Sequence, residues 1–530
     1  MIPKIPLKQR LSDYPQYYAK STPDREAAVL GLHRLSYRDF ADQIDLCAKA
    51  LLVSGIGVGD RVATLSNPHP IALILFMACA RIGAIWVGLN TRSTYDELTY
   101  IIADAQPGLL FSITEFEGRD YREDLQRLQA SFNSLGKVIL MDRHNKPTLG
   151  DFIDFGAFLT LGKTCSEGSF AQAIGSVQSD DPVLIVYTSG STGQPKGALL
   201  SHSNIIQSAL TQYQYWHPEP LRILNNMPIN HLGGAVQVAA YAIVCGGTNV
   251  LMERFKPKET LALIQAEQIT VVHQTSTMYQ LILDQSHPDD YDLSCLQLVI
   301  WSGSACPRDL LTRLKQLCPD LSTSYGQTEC GAEVLYVPVG ADEQVLATCV
   351  GKPPQTMQVR LADEQGAPVA NGQAGEIQVK SPTVMQGYWQ RPEATQEVFT
   401  ADGWLHTGDL AEQTPEGHYR IVGRLKEMYK SGGYNIYPRE IEIVLESHPA
   451  VALAAVVSVP DPLFNEVGHA FILVEEQAAV TELELEALCR EKLANYKIPK
   501  RFIFKDTLPM LPIGKVDKVA LKEQVINKQE

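Results

Sequence analysis

The chain has 530 residues, a formal net charge of −15, and is 45% hydrophobic and 20% charged. That length exceeds what one hydrophobic core sustains, so two or more domains are expected. The acidic balance, without any Lys/Arg-rich run, argues against nucleic acid as a partner, and an anionic substrate must be met by local positive groups.

Ten cysteines are scattered singly from Cys47 to Cys489, with no Cys-x-x-Cys pair and no Cys/His metal spacing. They read as reduced thiols of a cytoplasmic protein. The N-terminal stretch lacks an apolar core, so no signal peptide is expected. Arg61–Leu65 (RVATL) reads as a strand. It precedes the apolar run Ile71–Ala80, which stops at Arg81 and is too short to span a bilayer; a buried helix is expected. Gly162-Lys163-Thr164 resembles the end of a Walker A loop, but Gly156 is one residue too far upstream.

Pro182–Tyr187 (PVLIVY) reads as a buried strand. It leads into Tyr187–Gly197 (YTSGSTGQPKG), with three glycines, four aliphatic hydroxyls and Lys196. Such a loop can bring backbone N–H groups and hydroxyls to an anion, and Lys196 adds positive charge. It is not a Walker A motif, because Lys196 follows Pro195 and precedes Gly197. Gly197–Ser201 reads as a second strand, which makes the loop a phosphate grip between strands. Leu296–Trp301 (LQLVIW) is a further strand, followed by the turn Ser302–Cys306 and a helical segment opened by Pro307. Alternating strands and helices imply an α/β fold with a largely parallel sheet, whose ligands bind at the C-terminal strand ends. From Gly351 to Asp409 short strand-like runs suggest a β-rich subdomain. After Arg424 a compact segment runs to the C-terminus. The expected division is 1–424 for a large domain and 425–530 for a small one.

Further motifs follow in order: SYGQTE at Ser324–Glu329, WLHTGDL at Trp404–Leu410, RLKEMYKSGGYNIYPREIE at Arg424–Glu442 and LPIGKVDK at Leu511–Lys518. Together with YTSGSTGQPKG they resemble the adenylate-forming superfamily, in its acyl-CoA synthetase branch. The resemblance implies a large α/β domain with a β-rich subdomain and a small mobile C-terminal domain. It also implies the reaction: a carboxylic acid and ATP give an acyl-adenylate and pyrophosphate, and coenzyme A then takes the acyl group.

Roles follow from the same resemblance. Thr188, Ser189, Gly190, Ser191, Thr192, Gly193 and Lys196 grip the β/γ-phosphates. Glu329, with Thr188, holds Mg²⁺. Ser302, Gly303 and Ser304 lie along the adenine, with a plain strand-to-helix turn as the alternative. Ser324, Tyr325, Gly326, Gln327 and Thr328 belong to the nucleotide site, Thr328 at the α-phosphate. Asp409 accepts the ribose hydroxyls and Arg424 adds a ribose or phosphate contact, where a structural Asp–Arg pair is compatible with either role. Lys515 is the catalytic lysine. Lys426 is the hinge, although Glu427 stands where the pattern often has Asp. Gly432 and Gly433 make room for the pantetheine arm of CoA, and Tyr434 departs from the usual Glu. Tyr496 and Lys500 contact the CoA nucleotide, with surface decoration an equal reading for Lys500.

For the acid, His231 in PINHLGG resembles the gate at the substrate carboxylate, and a core histidine is its alternative. Gly233, Gly234 and Ala235 either open space for an acyl tail or let a helix pack closely. No Asp lies between Asn226 and Val250, so an amino-acid ammonium would have no anchor. Leu232, Val236, Thr275, Met278 and Val334 are the pocket candidates. They fit a medium or long fatty acyl chain, the leading expectation, or an aryl acid. An acyl-AMP ligase serving a separate carrier protein, a luciferase-like oxidase and an inactive homologue are the rivals. Partners are thus the acid, ATP and CoA, without a transmembrane segment, and a homodimer is compatible with the reading.

Overall fold

The computed structural model describes residues 5–142, 152–188, 194–431, 434–475, 478–510 and 516–526. Two compact units emerge. The first comprises residues up to Ala347 with Gly351–Gln358 and Val379–Leu405; the second comprises Thr348–Val350, Val359–Gln378 and the chain from His406 onward.

The first unit is built on two eight-stranded sheets. One runs, edge to edge, Ala332–Tyr336, Leu321–Gln327, Leu298–Ser302, Val271–Gln274, Arg222–Asn225, Thr248–Leu251, Glu26–Leu30 and His33–Ser36. Its six interior strands pair in parallel and both edges are antiparallel. One face is sealed by helices Pro257–Glu267, Ser276–Gln285 and Arg308–Leu317 through Leu224, Val272, Val299, Trp301, Leu311 and Leu314. The last helix begins one residue later than expected, because Pro307, at φ −58° and ψ 148°, is extended and serves as the N-cap.

The second sheet runs Gly387–Tyr388, Lys196–Ser201, Pro182–Thr188, Ile85–Leu89, Arg61–Leu65, Leu109–Ser112, Lys137–Leu140 and Ile153–Asp154. The expected apolar helix is Pro70–Ile82, buried at every position except Ile71 and Arg81. His69 caps it by accepting from the Ile71 N–H at 3.1 Å, and Gly83 ends it at φ 76°. Helix Phe155–Gly162 ends on the first residue of the false Walker-like triplet, with Lys163 and Thr164 in the turn that follows. Gly387–Tyr388 does not stay with the β-rich segment expected between 351 and 409; it pairs antiparallel with Lys196–Ser201.

The second unit holds a four-stranded sheet, Gln358–Ala362, Gly375–Lys380, Leu405–Gln413 and Tyr419–Arg424. Its other sheet is five-stranded, with Val451–Asp461 and Asn465–Val474 as a long antiparallel pair. Helices Pro438–Glu446 and Glu482–Lys492 cover one side through Ile441, Leu445, Leu485 and Cys489, and Lys518–Ile526 covers the other through Leu521 and Val525. No helix among the described residues is long and apolar enough to cross a membrane. All ten cysteines are free thiols.

Candidate active site

Two strands from different sheets end at one place in the first unit. Pro182–Thr188 and Lys196–Ser201 form a hairpin whose last pair is Thr188↔Lys196, so a hydroxyl and an ammonium flank the base of the glycine-rich loop. Ser189, Gly190, Ser191, Thr192 and Gly193 lie outside the described residues. From the other sheet, Leu321–Gln327 runs into a short turn, Thr328–Cys330, that carries Glu329. Oε1 of Glu329 accepts from Thr188 Oγ1 at 3.4 Å and from the Tyr388 hydroxyl at 2.8 Å. The Glu329 carbonyl accepts from the Met385 N–H at 2.9 Å, which fixes the turn. Lys196 Nζ stands 5.2 Å from the centre of the Tyr388 ring. Burial and then the neighbouring Glu329 carboxylate push the Tyr388 phenol up, so it stays protonated as a donor.

Tyr388 is a residue the motif reading missed. Its signal was the strand-like GYW sequence, which was assigned to a separate subdomain. The base of the loop is braced as well. Tyr187 donates to Asp104 Oδ2 at 2.7 Å, Arg391 binds the other Asp104 oxygen, and Tyr100 donates to the Pro195 carbonyl at 2.9 Å. Helix Tyr95–Ala105 therefore holds both ends of the loop.

The chemistry of this donor set fits a hard cation. A carboxylate and a hydroxyl supply oxygen ligands, and Mg²⁺ takes few protein carboxylates and completes its shell with water and phosphate oxygens. No cluster of three or more His, Cys, Asp or Glu side chains suited to a metal occurs among the described residues.

Ser302 closes strand Leu298–Ser302, and its hydroxyl meets His273 Nε2 at 3.0 Å. Gly303 follows at φ 81°, and Ser304 pairs with Ser276 at 2.7 Å. Ser324, Tyr325, Gly326 and Gln327 are the last residues of Leu321–Gln327, and Thr328 is buried directly after it.

Of the acid-pocket candidates, Val236 lies on a π-helix, Gly233–Ala240, and His231 and Leu232 directly precede it. His231 is exposed before it, and its Nδ1 accepts from the Gly233 N–H at 3.1 Å. A Cβ on Gly88 would lie 2.5 Å from the Asn230 Cα, so only glycine lets strand Ile85–Leu89 pass beside His231. A Cβ on Gly234 would lie 2.5 Å from the Pro228 carbonyl oxygen, so at this glycine the close-packing reading holds. Leu232 and Val236 are buried here; Val334 is buried on Ala332–Tyr336, which packs against this helix. Thr275 caps helix Ser276–Gln285 by accepting from the Met278 N–H at 3.4 Å, and both side chains are half-buried.

In the second unit, Asp409 and Arg424 face each other in register, Nε to Oδ1 at 2.8 Å. Asp409 is buried and the Arg424 side chain is half exposed. Lys426 lies in the turn between Tyr419–Arg424 and Tyr429–Ser431. Gly432, Gly433 and Lys515 lie outside the described residues. Tyr496 and Lys500 both line a cavity of about 490 Å³ with Arg490 and Asn495. Tyr434 stacks on Tyr496 with ring centres 4.2 Å apart. Lys518 binds Glu427 and meets Glu442 Oε1 at 2.8 Å.

Comparison with known proteins follows the same outline. Residues 16–389 match the AMP-binding enzyme model and residues 440–515 match the AMP-binding enzyme C-terminal domain. A feruloyl-CoA synthase of Amycolatopsis sp is 34% identical, covering 96% of this chain and 97% of its own. A medium/long-chain-fatty-acid–CoA ligase of Mycobacterium tuberculosis is 30% identical, covering 95% and 88%. The ATP-bound crystal structure of MatB from Rhodopseudomonas palustris superposes with a TM-score of 0.85 at 28% identity, over 98% of this chain and all of that one.

Proposed function

The chain belongs to the AMP-binding enzyme family and is an AMP-forming acid–thiol ligase, and on that premise we propose how its own residues divide the work. Two anions, the acid carboxylate and the α-phosphate of ATP, must meet, so catalysis here is positioning and charge neutralisation. The carboxylate oxygen bonds to the α-phosphorus and pyrophosphate leaves. The CoA thiol then bonds to the acyl carbon, and AMP leaves.

The observation that carries this assignment is the convergence of Thr188 and Tyr388 on Glu329, with Lys196 over the Tyr388 ring. Glu329 would hold Mg²⁺ with the Thr188 hydroxyl beside it, and bound Mg²⁺ would offset negative charge on the phosphates. Tyr388 orients the carboxylate, and Lys196 with Ser189–Gly193 would hold the departing pyrophosphate. Thr328 would serve the α-phosphate, and Ser302–Ser304 with Ser324–Gln327 would flank the adenine. Asp409 would accept the ribose hydroxyls, with Arg424 holding it in place. Lys515 keeps the role its motif implies, neutralising charge between carboxylate and α-phosphate. His231 would stand at the acid carboxylate.

For CoA, the cavity beside Tyr496 and Lys500 offers an aromatic face and cations, which suits the nucleotide end, and Gly432 and Gly433 would leave room for pantetheine. The proposed working boundary is at 424/425, with Lys426 in its turn as the hinge. The acid is either a medium or long acyl chain or an aryl acid, and relatives named for each class are similar to this chain.

A panel of both acid classes with MgATP, with and without CoA, tests the reading. Acid-dependent pyrophosphate release with a thioester and AMP as products is expected. Pyrophosphate release with no thioester in the presence of CoA would sink the CoA assignment.

A further inference from the structure

On the sheet face opposite its apolar core lie two buried polar side chains, Glu333 and His273, that nothing in the proposed mechanism uses. Glu333, on Ala332–Tyr336, is 0% exposed, and neither carboxyl oxygen has a hydrogen-bond partner among the described residues. His273 lies beside it, with Nε2 3.8 Å from Oε1, and Tyr336 is a further titratable neighbour. His273 is 1% exposed; Nε2 meets the Ser302 hydroxyl at 3.0 Å and Nδ1 has no partner among the described residues. Ser324 sits in register between Ser302 and Tyr336, and its buried hydroxyl is likewise unpartnered among the described residues. It lies near enough to Glu333 to ease the ionised form without reaching hydrogen-bond geometry. Trp216 walls the group, its ring 5.4 Å from His273, and the π-helix Gly233–Ala240 packs against the strand that carries Glu333.

Leaving a carboxyl group, an imidazole nitrogen and a hydroxyl buried and unsatisfied forfeits their hydration with nothing in return, most of all for a charged group. Such a cluster persists where something else completes its hydrogen bonds. The groups are neutral at physiological pH. Burial pushes the Glu333 carboxyl up to about 8 and pulls His273 down to about 3. A protonated carboxyl and a neutral imidazole together present both a donor and an acceptor. A hydroxyl satisfies both at once, whereas an ammonium or a second carboxylate finds no counter-charge.

We propose that Glu333, His273 and Ser324 form a recognition site for a hydroxyl group on the body of the acid, so that the preferred substrates are hydroxylated acids rather than plain hydrocarbon acids. This rests on the reading that the acid enters beside His231 and along Gly233–Ala240. It replaces a wholly apolar pocket with one that has a polar patch. A site built to hydrogen-bond a substrate hydroxyl rejects the analogue lacking it strongly, because its own polar groups are then left unpaired.

The test compares matched pairs, 4-hydroxycinnamate against cinnamate and 3-hydroxyoctanoate against octanoate. Thioester formation and acid-dependent pyrophosphate release give kcat/KM, and calorimetry gives direct binding to the full chain. The wild type should prefer the hydroxylated member of at least one pair by ~10-fold or more. Glu333→Leu should erase that preference while leaving KM for ATP within about 2-fold. His273→Phe provides the same reading if Glu333→Leu does not fold. Equal use of both members of each pair by the wild type overturns the proposal. So does a preference that survives both substitutions, as it would if only water filled the cluster, or a rise in KM for ATP alone, as it would if adenine did. Loss of all acid-dependent turnover with every acid defeats the ligase reading instead, and the calorimetric preference still decides this one.

Discussion

The hydroxyl of Tyr388 donates to Oε1 of Glu329 at 2.8 Å, joining a two-residue strand of one sheet to a turn at the end of a strand in the other. A hydrogen bond to a charged group contributes about 1.5–3 kcal/mol. Tyr388→Phe should therefore lower kcat/KM for MgATP by roughly 10-fold or more, with a higher Mg²⁺ requirement and little change in KM for the acid. Magnesium titrations of pyrophosphate release measure this; an unchanged Mg²⁺ dependence would remove Tyr388 from the site.

Asp104 ties Tyr187 and Arg391 together beside the loop, and its side chain is only 8% exposed. Asp104→Ala leaves a phenol and a guanidinium without their acceptor. It should cost about 1–3 kcal/mol of stability and raise KM for ATP more than KM for the acid. Thermal denaturation alongside steady-state kinetics checks both; equal rises in the two KM values would make the brace purely structural.

Lys518, the last residue of LPIGKVDK, sits against Glu427 and the buried Glu442. Burial works against its charge, but Glu442 and Glu427 outweigh that and raise its pKa. Lys518→Met takes one of two cations from Glu442, which keeps Arg439 at 3.3 Å and the Val456 N–H at 2.9 Å, and should destabilise the second unit by about 1–3 kcal/mol. Lys518→Arg should recover much of this. Unfolding followed by a probe in that unit reads the difference.

The Glu333–His273 pair predicts a pH dependence of stability with a definite sign. The Glu333 carboxyl rises from 4.5 to about 8 on folding, so between those values the native state keeps a proton that the unfolded state has released. Stability falls as pH rises through that window. His273 falls from 6.5 to about 3, so stability also falls as pH drops below 6.5. The two oppose each other between pH 4.5 and 6.5, and above that Glu333 acts alone. Its contribution there is a loss of up to about 1.4 kcal/mol per pH unit. Glu333→Gln should flatten the decline in thermal midpoint between pH 6.5 and 8; an unaltered slope counts against a buried neutral carboxyl.

Lys515→Ala should reduce acid-dependent adenylation by far more than thioester formation from a supplied acyl-adenylate, as single-turnover assays of each half-reaction would show. Equal losses in both would deny Lys515 its separate place in the first step.

Much of the site could be read from motifs because its residues are local in sequence. Thr188 and Lys196 belong to one hairpin, and Glu329 closes SYGQTE, so spacing alone marked them. Tyr388 escaped because a short GYW strand carries no periodicity, and only pairing with Lys196–Ser201 places it beside Glu329. Pro307 misled the helix start by one residue, since its fixed φ serves an extended N-cap as well as a first turn.

What the sequence by itself determined is the α/β class, the buried helix over Ile71–Ala80 and the order of the phosphate, carboxylate and lysine motifs. These follow from local patterns of apolar spacing, glycine and hydroxyl content. What only the tertiary structure decided is which distant side chains share a site. Glu333 reads in the sequence as one more surface acid. Pairing of its strand with Leu321–Gln327 turns it inward beside His273, where burial keeps both groups neutral. No linear pattern records that, because the desolvation that sets their charge comes in part from elements distant in the chain, Trp216 and Gly233–Ala240 among them.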